Sequence, residues 1–104
     1  MAGMRSIGTD ESAIGRLCAA LCTLRNPDEA RALLADLCTT REINELAQRL
    51  EVAVMLNEGS SYLTVSHETG ASSTTVSRVS KCLNGQAGGY RLVLSRLEEE
   101  GSQA

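Results

Sequence analysis

The chain has 104 residues, of which ten are Lys or Arg and thirteen are Asp or Glu, so its formal net charge is −3 at pH 7. This length predicts one small domain, and the mildly acidic balance argues against a protein that coats nucleic acid through charge alone. Because the chain has no Phe or Trp and only two Tyr, its core must consist of smaller apolar side chains, which favours association of subunits.

The sequence shows no signal for a membrane or for export. It contains no run of about 18 apolar residues, the length that a spanning helix needs. It also lacks a charged leader followed by an apolar stretch. We therefore expect a cytoplasmic protein without membrane contact, and in that compartment no disulfides.

The first eight residues, MAGMRSIG, combine small and polar side chains. We predict that residues 1–8 form a flexible arm and that residues 9–104 form a single helical domain. A first helix is expected to begin near Thr9, with acidic residues in its first turn. Apolar residues at helical spacing predict its buried face, made of Ile14, Leu17, Cys18, Leu21 and Leu24.

A second helix is predicted after Asn26, which can cap it, with Pro27 at its first position. It should end around Cys38. Its apolar side would consist of Ala30, Leu33, Leu34 and Leu37.

A third helix is predicted from Thr39 to about Glu58. Glu42, three residues after Thr39, completes a capping box, and Gly59 would stop the helix. The stretch 52–56, VAVML, is apolar nearly all round. We therefore expect this half of the helix to be buried on both sides, by its own subunit and by a second one.

The four cysteines raise the question of a metal site. Cys18 and Cys22 are four residues apart on a predicted helix, which is not the spacing of a zinc knuckle, and the single histidine, His67, is distant in sequence. Cys18 and Cys22 are better interpreted as small buried apolar side chains. We predict no metal and no cofactor.

The segment from Tyr62 to Leu83 has the apolar and glycine pattern of a helix-turn-helix. Val65 is predicted to face Val76 and Val79 across two short crossed helices. Gly70 can adopt the positive φ that ends the first of them.

The outward face of the second motif helix is rich in hydroxyl and basic side chains. Hydroxyls can donate to phosphate oxygens or to base edges, and arginine can hold guanine or phosphate with two parallel donors. Serine and threonine also cluster at caps and loops, so a solvated helix is the alternative. The predicted DNA-binding residues are Ser72, Ser73, Thr74, Thr75, Ser77, Arg78 and Lys81.

After a loop with the sequence NGQAGG, a last helix is predicted from its apolar residues. These residues are Tyr90, Leu92, Val93, Leu94 and Leu97, and an acidic tail follows them. The sequence therefore predicts six helices and no strand, an all-α fold.

Charge is unevenly distributed along the chain. Residues 69–97 contain no acidic side chain and four basic ones, whereas residues 1–68 contain six arginines and ten carboxylates. A compact positive surface attracts the phosphates of a DNA duplex. Arg78 is expected to affect base preference, and Arg91 to contact phosphate in any sequence. With few cations per chain, we expect a dimer that reads two half-sites roughly 34 Å apart.

The string LCTTREINELAQRLEVAVMLNEG, followed by YLTVSHETGASSTTVSRVSKCLN, resembles the Trp repressor superfamily and is most similar to its YerC/YecD-like branch. The resemblance runs from Ala13 to Leu97. Its most specific pieces are DLCT, QRLEVA and ETGAS..T.SRV. It implies a six-helix, Trp repressor-like fold whose fourth and fifth helices form the helix-turn-helix, an intertwined homodimer and a transcriptional repressor.

The resemblance carries over only part of a tryptophan site. Arg78 matches the arginine that flanks the indole. Val79, however, replaces a glycine that makes room for the ligand, Cys82 replaces a serine, and Gln48 stands where a second arginine would be. Tryptophan is therefore not the expected ligand, and whether another effector exists is left open. The candidate effector pocket consists of Gln48, Arg49, Arg78, Val79 and Cys82.

The sequence thus predicts a sequence-specific regulator that binds double-stranded DNA as a homodimer. The alternative is a protein-interaction module that keeps the helix-turn-helix shape. An enzyme is not expected, because catalysis usually needs several titratable groups that converge on one site. The sequence has one histidine, no Gly-rich phosphate loop and no pair of carboxylates on a shared face.

Overall fold

A computed structural model describes residues 10–103, and this stretch contains α-helices and no strand. The helices are α1 (Glu11–Leu21), α2 (Pro27–Leu37), α3 (Thr40–Asn57), α4 (Tyr62–Thr69), α5 (Ser73–Leu83) and α6 (Gly89–Gln103). The prediction of six helices is confirmed. None of the helices in this part of the chain has the length and apolar character needed to cross a membrane.

The chain divides into two compact units at Thr39 and Thr40. The N-terminal unit contains α1 and α2, and the C-terminal unit contains α3 to α6. The predicted arm of residues 1–8 lies outside the described residues. The single domain of residues 9–104 stays a prediction.

In the N-terminal unit, both helices begin where side chains can cap them. Asp10 Oδ1 accepts a hydrogen bond from Ala13 N at 3.2 Å. Asn26 Oδ1 accepts one from Glu29 N at 2.9 Å, and Glu29 Oε1 in return accepts one from Arg25 N at 2.9 Å. These bonds satisfy amides that a helix start leaves unpaired. The predicted start of α2 after Asn26 is confirmed, whereas α1 begins at Glu11, with Asp10 as its cap, and not at Thr9.

The predicted buried face of α1 is wrong for the single chain. Ile14, Leu17 and Leu21 are 38%, 42% and 47% exposed. Cys18 is exposed as well, and Leu24 is half-buried. An amphipathic pattern identifies the face that favours burial, but it does not say which chain covers that face.

Cys18 and Cys22 are likewise not the buried hydrophobes that we predicted. Cys18, Cys22 and Cys82 are exposed, and Cys38 is half-buried. Within residues 10–103, no three His, Cys, Asp or Glu side chains come together in a way that could hold a metal ion.

In the C-terminal unit, α3 packs against α4, α5 and α6, and α5 packs against α4 and α6. The buried core consists of Val52, Ala53, Val65, Ala71, Val76, Val79, Leu83 and Leu94. Val65, Val76 and Val79 lie in this one cluster, as predicted. The stretch 52–56 of α3 was expected to be buried on both sides. In the single chain, Val52 and Ala53 are buried, whereas residues 54–56 are half-buried.

The turn between α4 and α5 is built around Gly70, which ends α4 with a φ of 76°. The Gly70 amide donates to Ser66 O at 2.9 Å, and Ser66 Oγ donates to Ala71 O at 2.6 Å. Both the glycine conformation and the short side chain of Ser66 fit the predicted corner.

Replacing Gly70 by alanine should lower the free energy of unfolding by about 1–2 kcal/mol, the cost of a left-handed conformation for a residue with a Cβ. Space is not the cause, since the nearest atom to an added Cβ is Gln48 Nε2 at 3.9 Å. Gly89→Ala is the matched control, because Gly89 has no positive φ and nothing lies within 4 Å of an added Cβ. Urea unfolding of both variants measures the effect, and equal losses would contradict it.

Candidate DNA-binding surface and adjoining cavity

The spacing of apolar residues in α5 determines which of its side chains face outward. Val76, Val79 and Leu83 are buried at helical spacing and hold one side of the helix against the core. The opposite side is therefore open to solvent. We call it the polar face of α5, and its exposed residues are Ser73, Thr74, Ser77, Arg78 and Lys81.

The other two predicted DNA-binding residues, Ser72 and Thr75, cap the start of α5. Ser72 Oγ accepts a hydrogen bond from Thr75 N at 3.1 Å and donates one to Thr75 Oγ1 at 3.1 Å. Thr75 is half-buried. These two hydroxyls thus hold the helix end that carries the polar face, while the other five predicted residues lie on that face.

One side-chain hydrogen bond joins the two motif helices to each other, and another joins α4 to α3. Sequence reasoning found neither. Tyr62 Oη donates to Ser80 Oγ at 2.6 Å, which links the first residue of α4 to α5. Gln48 Nε2 donates to Thr69 O at 3.1 Å, which links α3 to the last residue of α4. The partners are 18 and 21 residues apart in sequence, so no short-range pattern could have indicated them.

Arg91, which we predicted to contact phosphate, has a structural role in the single chain. Its Nη1 donates to Leu83 O and its Nη2 donates to Gly85 O at 2.9 Å. The guanidinium of α6 therefore binds the carbonyl group of the last residue of α5 and one in the loop that follows. Arg91 holds the end of α5 in place.

Replacing Arg91 by lysine should lower the free energy of unfolding by about 1 kcal/mol, since a single ammonium cannot reproduce two parallel bonds to carbonyls. Arg96→Lys, at an exposed position of the same helix, serves as the control and should have little effect. Urea unfolding compares them. Indistinguishable stabilities would show that the two bonds to the end of α5 contribute nothing.

The five residues predicted as an effector pocket line one cavity of about 340 Å³ between α3 and α5. They are Gln48, Arg49, Arg78, Val79 and Cys82, and they are joined by Glu45, Thr75 and Tyr90. Sequence reasoning missed Glu45 and Tyr90. Glu45 lies one helical turn before Gln48 and Arg49 on α3, so helical spacing could have found it, but no local signal places Tyr90 of α6 there.

The cavity contains groups of both charges, and its wall continues into an apolar region. Its lining includes one acidic residue, Glu45, and two basic ones, Arg49 and Arg78. Cys82 and Tyr90 are shared with a second cavity of about 430 Å³ whose other lining residues are Leu50, Ala87, Gly89 and Val93. This arrangement suits a small molecule with polar and apolar parts.

Comparison with known proteins places these features in a family. A family model described as "Trp repressor protein" matches residues 12–98. The "Uncharacterized protein YerC" of Bacillus subtilis (strain 168) is 47% identical over 79 residues, which is 76% of this chain and 76% of that protein.

Two crystal structures have the same fold. One is described as a TrpR like protein from Eubacterium eligens ATCC 27750, with a TM-score of 0.77 and 44% identity over 84% of this chain and 90% of that one. The other is described as a putative Trp repressor from Staphylococcus aureus, with a TM-score of 0.79 and 40% identity over 84% of this chain and 87% of that one.

The family match spans α1 to α5 and most of α6, so it includes both the polar face of α5 and the adjoining cavity. The Trp repressor family is one of regulators and not of enzymes, and it implies DNA binding and dimerisation. On the family model, the relative and both solved structures, the chain belongs to the Trp repressor family.

Proposed function

We propose that the protein is a sequence-specific DNA-binding transcriptional repressor that acts as a homodimer in the cytoplasm. The observation that supports this most directly is the polar face of α5. Its five exposed side chains all carry groups that can donate hydrogen bonds to DNA. No acidic residue occurs from Thr69 to Leu97 to repel phosphate.

Within this proposal, the residues of the polar face have different tasks. Ser73, Thr74 and Ser77 would approach base edges, together with the paired donors of Arg78. Lys81 would neutralise phosphate as a point charge. Ser72 and Thr75 hold the N-terminal end of α5 through their hydrogen bonds and remain in the proposed DNA-binding set.

The homodimer is supported by apolar side chains that the single chain leaves exposed. Leu17 and Leu21 of α1 and Leu92 and Leu97 of α6 are 42% to 49% exposed. Burying such side chains between two copies would stabilise an intertwined dimer, with about 1.5–3 kcal/mol for each fully buried leucine. Two copies would present two α5 helices to half-sites about one helical turn apart.

The cavity between α3 and α5 is the candidate place for an effector, whose existence the sequence left open. Tryptophan is not the expected ligand. The isopropyl group of Val79 lines the cavity, and the amide nitrogen of Gln48 is already bonded to Thr69 O. The Val79 isopropyl group would therefore intrude on a flat indole, and a second flanking cation would have to come from Arg49, which also lines the cavity.

The experiment that tests the proposal is selection from a pool of random duplexes with the purified full chain. We expect enrichment of two related half-sites in inverted orientation, and affinity for the enriched duplex should fall steeply as salt rises. No base preference at physiological salt would overturn the proposal.

A protein-interaction module is the alternative, and the exposure of Leu63 favours it. Leu63 lies on α4 and is 84% exposed, more than any other large apolar side chain of the described residues. Recovery of a stoichiometric protein from cell extract, insensitive to nuclease and lost in Leu63→Ser, would support this alternative. If Leu63→Ser instead leaves duplex selection unchanged and no such protein is recovered, the DNA-binding function stands.

A further inference from the structure

We infer that Gln48 is a positioning residue that fixes the helix-turn-helix for DNA by an internal hydrogen bond, so that binding requires no small-molecule effector. This inference rests on the proposed function. It concerns how the α4 and α5 pair is held, and therefore whether a ligand is needed to hold it.

The bond from Gln48 connects a firmly anchored helix to the turn of the motif. Gln48 Nε2 donates to Thr69 O at 3.1 Å in a half-buried environment. One helical turn later in α3, Val52 and Ala53 are fully buried in the core. Thr69 is the last residue of α4, directly before Gly70. The anchored helix thus holds the turn itself.

The turn is also bonded internally, so a single external bond can fix it as a unit. Thr69 Oγ1 donates to Val65 O at 2.7 Å and accepts from Ala71 N at 3.2 Å. Ser66 Oγ donates to Ala71 O at 2.6 Å. A shift of the turn away from α3 would break the bond from Gln48 without any compensating partner inside the turn.

Three further hydrogen bonds hold the rest of the motif. Tyr62 Oη bonds to Ser80 Oγ between α4 and α5, and the Arg91 guanidinium holds the C-terminal end of α5. The motif is thus bonded at the start of α4, at the turn and at the end of α5. Such preorganisation means that the conformational entropy is lost during folding and not when DNA binds.

The polar groups around the motif are already satisfied. Within the described residues, no buried side-chain nitrogen or oxygen lacks a hydrogen-bond partner. Gln48 lines the cavity beside Arg78, but its donor is engaged with the backbone of α4. A molecule in the cavity would meet a motif that is already in position.

The test begins with wild-type full chain that is unfolded in guanidinium, gel-filtered to remove any bound small molecule and refolded. Its affinity for the enriched duplex is measured with and without pooled L-amino acids as the probe. We expect equal affinities. Hydrogen exchange should also show the amides of Gly70 and Ala71 protected before DNA is added.

The matching variant is Gln48→Met, which keeps the length of the side chain and removes the donor. Loss of one such bond should weaken duplex binding roughly fivefold and speed exchange at Gly70 and Ala71. Gln86→Met, at an exposed position in the loop before α6, is the control and should change neither. Gln48→Lys, which retains a donor, should restore most of the affinity.

The outcomes separate this inference from the proposed function. If the stripped wild type binds only after amino acids are added, the inference is overturned and the function stands. If it refolds but binds the enriched duplex under neither condition, a removed molecule other than an amino acid is required, and the inference is again overturned. The function fails only if selection with the untreated chain enriches no duplex. Hydrogen exchange then decides the inference, and equal protection of Gly70 and Ala71 in wild type and Gln48→Met overturns it. Should Gln48→Met not fold, Gln48→Glu, of the same shape and without a donor, takes its place.

Discussion

Replacing Arg78 by alanine should weaken binding to the enriched duplex by about 1–3 kcal/mol, the value of one two-donor contact to a base. Arg78 is exposed on the polar face of α5. Because such a contact discriminates between bases, a repeated selection with the variant should show relaxed preference at one position of each half-site. Affinity titrations against matched and altered duplexes measure both effects.

Lys81→Ala is the comparison that separates base reading from charge. It removes one positive charge from the same exposed face, so it should weaken all duplexes alike and reduce the slope of log affinity against log salt by about one. Arg16→Ala, exposed on α1, controls for the loss of an arginine elsewhere. If Arg78→Ala and Lys81→Ala have the same effect on every duplex, the proposed division of roles on α5 is wrong.

Replacing Leu17 and Leu21 together by aspartate should convert the proposed homodimer into monomers. Both side chains lie on the apolar stripe of α1 and are 42% and 47% exposed in the single chain. In an intertwined dimer they would be buried, so each substitution removes about 1.5–3 kcal/mol of apolar burial and adds the cost of a buried charge. Sedimentation equilibrium measures the mass of the complex.

Ala19→Asp is the matched control, because Ala19 is exposed on the side of α1 opposite the stripe. It adds one negative charge where the double substitution adds two, and it should leave the dimer intact. Circular dichroism confirms that each variant keeps its helices. A wild type that sediments as a monomer, or a doubly substituted protein that stays dimeric, would show that the α1 stripe is not a subunit interface. Duplex binding should be lost together with the dimer, because one copy presents a single α5 helix.

The parts of the fold that depend on neighbouring residues were predictable from the sequence. Asn26 and its partner Glu29 are three residues apart, and Ser72 caps α5 within the same span. Gly70 was expected to take a positive φ because few other residues do so at low cost. The burial of Val65, Val76 and Val79 followed from helical spacing alone.

The bonds that connect separate helices were not predictable. Gln48 lines the predicted effector pocket, and its donor also holds the backbone of Thr69. Arg91 was expected to contact phosphate, and two of its donors hold carbonyl groups at and after the end of α5. In both cases only three-dimensional distance shows the bond to a main-chain carbonyl group.

The sequence by itself determined the six helices, the turn at Gly70 and which residues of α5 face outward. These depend on caps, backbone conformation and side-chain periodicity, all of which act over a few residues. Only the tertiary structure decided that Arg91 and Gln48 bond to main-chain carbonyls, and that the stripe of Ile14, Leu17 and Leu21 is exposed in one chain. Partners far apart in sequence meet only when helices pack, so their contacts are set by three-dimensional distance and not by spacing along the chain.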